Sequence, residues 1–295
     1  MKVNLYLMSA KGLGALQVAI SSGYTSLINE VCIGKDSNVI NDYSEDIRLL
    51  CEASDIRWRH RTEKGTNTIA EHSIAISWRW ILKDVPGLIV IHDSLLPKYR
   101  GFAPLVSQLI NGEPQIGVSA IWAELDYDTG DIIAQSSVEI FYPIKIHSAI
   151  EILEQCYNNC LLYILQRLAE NSGLPSTPQD HSKATYSLWR DEQDYWINWN
   201  ESAEKISRFI DAVGIPYKGA ASLCNGEKII IRQARPVPDL IIENRSPGKV
   251  LRLQESFPVV VCGSGLLMIQ DCVYEDSGSP VLPLKSFRSR FSEPP

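Results

Sequence analysis

The sequence predicts an α/β unit followed by a smaller β-rich unit, and three observations predict it. Short apolar strands alternate with helical patterns through the first half of the chain. A Pro/Ser-rich stretch, SGLPSTPQDHS at 172–182, then breaks the periodicity. Beyond it, short alternating strands are separated by the turn signals Asn225-Gly226, Pro247-Gly248 and Gly263-Ser264-Gly265. Alternation of strand and helix argues a mostly parallel, Rossmann-like sheet flanked by helices. Evenly spaced strands with turns between them argue a small barrel of the OB type. The chain divides accordingly into 1–180 and 181–295.

In order, 3–10 reads as a buried strand, 13–23 as a helix ending at Gly23, 26–34 as a strand, 44–55 as a helix and 56–61 as a strand. Residues 68–82 read as a helix or as a turn into a strand, and 88–94 as a strand. Pro104 in the first turn and Gly112 behind the end frame a helix over 103–111. Residues 117–123 and 132–140 read as strands around an acidic turn at 126–131. A stripe of Ile150, Leu153, Cys156, Cys160 and Ile164 marks a long amphipathic helix over 144–171. In the second unit a helix spans 202–213, with strands from AASLCNG to LLMIQDCVY behind it.

Of 295 residues, 45% are hydrophobic and 21% charged, with a formal net charge of −7. That acidic balance disfavours nucleic acid, whose phosphates need clustered Lys and Arg. No apolar run approaches the roughly 18 residues of a membrane span. The seven cysteines are odd in number and scattered, and none forms CxxC. Buried thiols in a reducing cytosol are the expectation. Lys11-Gly12-Leu13-Gly14 lacks the third glycine of a dinucleotide loop and reads as a tight strand-to-helix turn.

The stretch from Ile91 to Gln135, IHDSLLPKYRGFAPLVSQLINGEPQIGVSAIWAELDYDTGDIIAQ, carries the chemistry. It closely resembles the core of the folate-dependent formyltransferases, in which HxSLLPxYRG and DxGDIIxQ frame the site. The segment INWNESAEKISRFIDAVGIPYKGA resembles the C-terminal domain of the methionyl-tRNA formyltransferases. The likeness is strong over 91–135, fair over 195–275 and weak over the first 75 residues.

The resemblance implies 10-formyltetrahydrofolate as formyl donor, no metal, and an amine acceptor. It implies His92 as base and Asp128, the first acid of Asp-Thr-Gly-Asp, as its partner and proton relay. A histidine near its ordinary titration range suits proton removal from an amine at neutral pH. By the same likeness, Trp80, Ile81 and Leu82 meet the pterin on one side and Leu125, Asp126 and Tyr127 on the other. Val90 also lines this site, and Ser94, Lys98, Tyr99 and Arg100 lie nearest the acceptor.

Three positions depart from the family. Its catalytic asparagine, two residues before the histidine, is Val90 here, Ile121 stands nearest to its GVTxH histidine, and, more mildly, Asp93 replaces the usual proline after the histidine. Loss of an oxyanion donor typically costs about 10²–10³ in rate. The expectation is an N-formyltransferase acting on a small amine, such as a nucleotide-linked amino sugar. Methionyl-tRNA formyltransferase is the alternative, with tRNA as partner. Against it, the family's basic insertion corresponds here to GKDSNVINDYSEDIRLL, which is acidic to neutral. A folate-binding or repurposed acyl-transfer protein, slowed by Val90, is the second alternative. The apolar helix and the second unit offer surfaces for a homodimer.

Overall fold

The computed structural model describes residues 1–36, 41–63, 70–83 and 85–294. The chain forms two compact units. The first comprises Met1–Pro104, Gln115–Glu139 and Ile150–Leu188, and the second Leu105–Pro114, Ile140–Ala149 and Trp189–Pro295.

The first unit is built on a seven-stranded sheet. Its strands are β1 (Val3–Leu7), β2 (Ile28–Ile33), β3 (Trp58–His60), β4 (His72–Ile76), β5 (Leu88–His92), β7 (Gln115–Trp122) and β8 (Ile132–Glu139). Their order is β3-β2-β1-β4-β5-β7-β8. The first five pair in parallel, while β7 runs antiparallel to both β5 and β8. Central strands buried on both faces read as near-continuous apolar runs, which is why VNLYL and NEVCI show no alternation. A short pair completes the unit, β6 (Arg100–Gly101) beside β9 (Tyr186–Ser187).

The helices up to residue 169 are α1 (Ser9–Ser21), α2 (Ser44–Ala53), α3 (Pro104–Asn111) and α4 (Ile146–Ala169), of which α3 from Leu105 onward and the first turn of α4 belong to the second unit. Asp42 accepts from the Ser44 N–H at 2.9 Å, and Glu45 and Asp46 occupy the first turn of α2, where the helix dipole favours acids. Leu153, Cys156, Tyr157, Cys160 and Ile164 of α4 are buried, as a helical stripe requires.

Among the described residues 70–82, the regular element is the strand β4. Ile74 and Ile76 are β-branched and fully buried, and β4 is paired on both sides, to β1 and to β5. Thr68 and Ile69 lie outside the described residues. From Ser77 to β5 the described chain is irregular.

In the second unit, α5 (Ala203–Ala212) is capped by the Ser202 hydroxyl, which accepts from the Lys205 N–H at 3.1 Å. Behind it come β10 (Ala220–Cys224), β11 (Glu227–Val237), β12 (Val250–Gln254), β13 (Phe257–Val261), β14 (Leu266–Tyr274) and β15 (Phe291–Ser292). They form an antiparallel sheet in the order β12-β13-β14-β11-β10-β15. An antiparallel bridge between Lys249 and Arg290 links its two edges, and the Phe291 N–H donates to the Gly248 carbonyl at 2.7 Å. The sheet thus curls as the barrel pattern predicts. Val237, Val259, Val261, Leu266 and Met268 form its core.

All seven cysteines are free and buried. Among the described residues no helix is long and apolar enough to cross a membrane.

Candidate active site

His92 is the last residue of β5, at the carboxyl edge where parallel sheets place their ligand sites. Alternation along a strand puts Val90 and His92 on one face. The ring is 8% exposed. Its Nε2 lies 2.8 Å from the Tyr99 carbonyl oxygen. A carbonyl only accepts, so Nε2 carries a proton and donates. In the neutral imidazole Nδ1 then holds the lone pair. That atom faces Asp128 Oδ2 at 3.4 Å.

Asp128 reaches this position through tight backbone. It adopts φ +56° in the turn between β7 and β8. Its Oδ2 also accepts the Gly101 N–H at 2.8 Å. Gly101 has φ +99°, and a Cβ there would lie 2.5 Å from the Ser187 carbonyl oxygen. Gly130 brings the turn against β7, where a Cβ would meet the Trp122 oxygen at 1.8 Å. Both glycines of the YRG and DTGD motifs are therefore steric requirements.

The loop after His92 is held from below. Ser119, opposite His92 in the β5–β7 register, accepts the Leu96 N–H at 2.9 Å and donates to the Ser94 carbonyl at 2.7 Å. Gln135, opposite Ser119 on β8, donates to the Ser119 hydroxyl at 2.7 Å and to the Leu96 carbonyl at 3.0 Å. This explains in physical terms why SLLP and IIAQ occur together.

Asp93 turns away from the His92–Asp128 pair. It pairs with Lys11 of α1 at 2.5 Å and accepts the Tyr157 hydroxyl of α4. Burial alone would raise the Asp93 carboxyl, but the Lys11 charge and the two hydrogen bonds outweigh it and hold it below the usual range. Burial first, then the Asp93 charge, pushes the Tyr157 hydroxyl well above its ordinary value.

Val90 packs with Leu82 and Trp78 against Tyr6, Cys32 and Ala75. The Trp78 indole N–H is buried without a partner among the described residues. Trp80 lines a cavity of about 180 Å³ with Ile33, Lys35, His60, Arg61 and Thr62, and Ile81 is exposed. Leu125 and Tyr127 are exposed on the turn before Asp128, and Asp126 is exposed beside them.

Of the residues nearest the expected acceptor, Lys98 is exposed, while Ser94 is fully buried and donates to the Lys98 carbonyl at 2.7 Å. Tyr99 contributes its carbonyl to His92. Arg100 is turned inward at 2% exposure, on Gln179 and His181. Gln179 and Ser119 escaped the sequence reading. Both are uncharged, and Gln179 lies in a stretch whose Pro/Ser content reads as linker.

The family described as "Formyl transferase" matches residues 70–153, and "Formyl transferase, C-terminal domain" matches 190–287. The chain is 31% identical over 199 residues to the methionyl-tRNA formyltransferase of Acetivibrio thermocellus, covering 66% of this chain and 62% of that protein. It is 37% identical over 165 residues to that of Carboxydothermus hydrogenoformans, covering 56% and 52%. The matched stretch thus spans between half and two thirds of these relatives. The fold is similar to that of WlaRD, a sugar 3N-formyl transferase crystallised in the presence of dTDP and 5-N-formyl-THF, with TM-score 0.70 and 18% identity over 92% of this chain and 97% of that one. It is equally similar to an N-formyltransferase from Helicobacter canadensis in complex with folinic acid and dTDP-3-aminofucose, with TM-score 0.70 and 17% identity over 92% and 99%. With two family patterns matched along the sequence and the His92–Asp128 arrangement within the first of them, this chain belongs to the formyltransferase family.

Proposed function

We propose that the protein transfers a formyl group from 10-formyltetrahydrofolate to an amine. The observation that carries this reading is the His92 imidazole, with Nε2 engaged by Tyr99 and Nδ1 facing Asp128 at 3.4 Å. Formyl transfer between two nitrogens exchanges a formyl for a hydrogen. One proton must leave the acceptor amine and one must arrive at the donor nitrogen. His92 Nδ1 can take the first, and the Asp128 carboxylate beside it favours the imidazolium that results.

The surroundings suit a folate. Val90, Leu82 and Trp78 give an apolar face, and the unpartnered Trp78 N–H is a donor for a flat heterocycle rich in acceptors. Trp80, Ile81, Leu82 and 125–127 are the segments that would hold it. Bound there, it would supply the formyl carbon.

For the acceptor, an amine carried on a nucleotide is the reading we favour. The Phe102 and Tyr127 rings lie 5.9 Å apart and are 50% and 62% exposed, beside Gly101 and Asp128. That pair is a stacking surface for a planar base. The methionyl-tRNA relatives support the second reading, a tRNA-borne amine. Against it, Arg48 on α2 is tied to Glu45 and Glu52.

Incubation with 10-formyltetrahydrofolate and a panel of amines, nucleotide-linked amino sugars and methionyl-tRNA included, tests the reading by product mass. A formylated sugar nucleotide is the expected product. Formylated methionyl-tRNA would replace the acceptor assigned here. Folate binding with no product from any amine would overturn the transferase reading.

A further inference from the structure

The stretch that reads as a linker, 172–182, and the residues just after it are bound into the first unit at the candidate site. Thr177 pairs with Ile132, the Thr185 carbonyl takes the Arg100 N–H at 2.8 Å, and Tyr186–Ser187 forms β9 beside β6. At its centre sits Gln179, 6% exposed. Its Oε1 accepts from Arg100 Nη2 at 2.7 Å and from Arg100 Nε at 3.2 Å. Its Nε2 donates to the Asp128 carbonyl at 2.9 Å and to the Gly130 carbonyl at 2.6 Å.

Four hydrogen bonds fill the whole capacity of an amide. The amide has a single orientation, because a guanidinium only donates and carbonyls only accept. Arg100 is 2% exposed, and among the described residues no carboxylate pairs with it. Its charge falls on Gln179 and on His181 Nδ1 at 3.0 Å. A buried cation without a counter-ion is costly, and its hydrogen bonds polarise the amide towards the two carbonyls. One of these is the carbonyl of Asp128 itself, whose φ of +56° is a conformation that non-glycine residues hold only where the surroundings fix it.

We propose that Gln179 is a positioning residue for the formyl-transfer reaction: clamped by Arg100, its amide fixes the Asp128–Gly130 turn and so aims the Asp128 carboxylate at His92. This rests on the reading of His92 and Asp128 given above. Gln179 touches neither the imidazole nor the carboxylate and acts through the backbone of Asp128.

Two variants separate this role from plain support of the fold. Gln179→Glu keeps an acceptor for Arg100 and loses both donors to the turn. Gln179→Leu loses both sides. The expected result for each is a kcat lowered about 10- to 100-fold, with the affinity for 5-formyltetrahydrofolate within about threefold of wild type. Combined with Asp128→Asn, Gln179→Leu is expected to lower kcat by less than about twofold further, since the group it aims is already disabled. A Gln179→Leu effect of equal size in the Asp128→Asn background would overturn the assignment. So would wild-type kcat in a Gln179→Glu protein.

The ¹⁵N signals of the His92 ring give a readout that needs no turnover. Gln179→Leu is expected to displace the His92 ring ¹⁵N shifts in the same sense as Asp128→Asn, since both take the carboxylate away from Nδ1. Ring shifts unmoved in Gln179→Leu, alongside moved ones in Asp128→Asn, also overturn the assignment. Absence of turnover in the wild type with every amine would instead count against the transferase reading and leave the ring ¹⁵N shifts to decide the role of Gln179.

Discussion

Val90 and Ile121 stand opposite each other across β5 and β7. They are the two positions at which the chain departs from the polar pattern of its family, and the register makes them neighbours. The departures therefore form one apolar patch. Its other neighbour is Ala75, the β4 partner of Val90.

Val90→Asn places an amide in that patch. Val90 is half-buried, so the amide stays open to the site, while Ile121 and Ala75 at its sides offer it no partner and the apolar packing of Val90 is lost. The variant is expected to unfold at lower urea concentration and to transfer formyl at least about tenfold faster, since an oxyanion donor is worth about 10²–10³. Both are read from one preparation by denaturation and product mass. An unchanged or lower rate would mean that another donor already serves this face, and Trp78→Phe would test the indole N–H.

His92→Ala removes the side chain whose Nδ1 faces Asp128 at 3.4 Å. Loss of a general base is expected to lower kcat by about 10²–10⁴ with KM for the folate little changed. Asp128→Asn keeps the acceptor for the Gly101 N–H and removes the charge, so a smaller loss of kcat is expected. Steady-state kinetics at saturating folate check both. A His92→Ala enzyme with wild-type kcat would end the mechanism.

The Lys11–Asp93 pair ties α1 to the end of β5, with side chains 11% and 20% exposed. The carboxyl of Asp93 titrates below its ordinary value when folded, held there by Lys11 against burial. A lowered folded-state value contributes stability above the ordinary carboxylate range and loses it as pH falls through the lowered value. Asp93→Asn is expected to cost about 3 kcal/mol near neutral pH and much less once the pH has fallen through the lowered Asp93 value. Urea unfolding of both proteins across that range measures the difference. A gap that widens in acid would contradict the pairing.

The sheet was legible because its strands are apolar runs bounded by Gly and polar turns, a signal that survives without partners. The motif HDSLLPKYRG predicted where His92 would lie, and DTGD where Asp128 would lie. What stayed hidden is set by side-chain networks across large sequence separations. Gln179 bonds to Asp128, 51 residues away, and Arg100, 79 residues away, meets the same amide. No local periodicity encodes such contacts. Ser94 and Arg100 look like loop polars for the same reason, and only their buried partners show that they hold the loop itself. Stretch 68–82 was ambiguous because a short apolar run fits helix and strand alike, and pairing on both sides decides it.

The cysteines give a last prediction, one that depends on packing and not on the assigned reaction. Burial pushes the thiols of Cys51, Cys160, Cys262 and Cys272 up to about 12, and those of Cys32 and Cys224 up to about 11. Cys156 is raised by burial as well. The thiolate is the reactive species, so near pH 8 almost none is present, and the sulfurs are also out of reach of solvent. The native protein is expected to show no rapid reaction with an aromatic disulfide reagent, while all seven thiols react at once in denaturant. Six belong to strands or helices of the two cores and Cys262 follows directly on β13, so each becomes reactive only when its own unit opens. A thiol that reacts quickly in the native state would identify a core opened by local unfolding, and the labelled peptide would say which unit it belongs to.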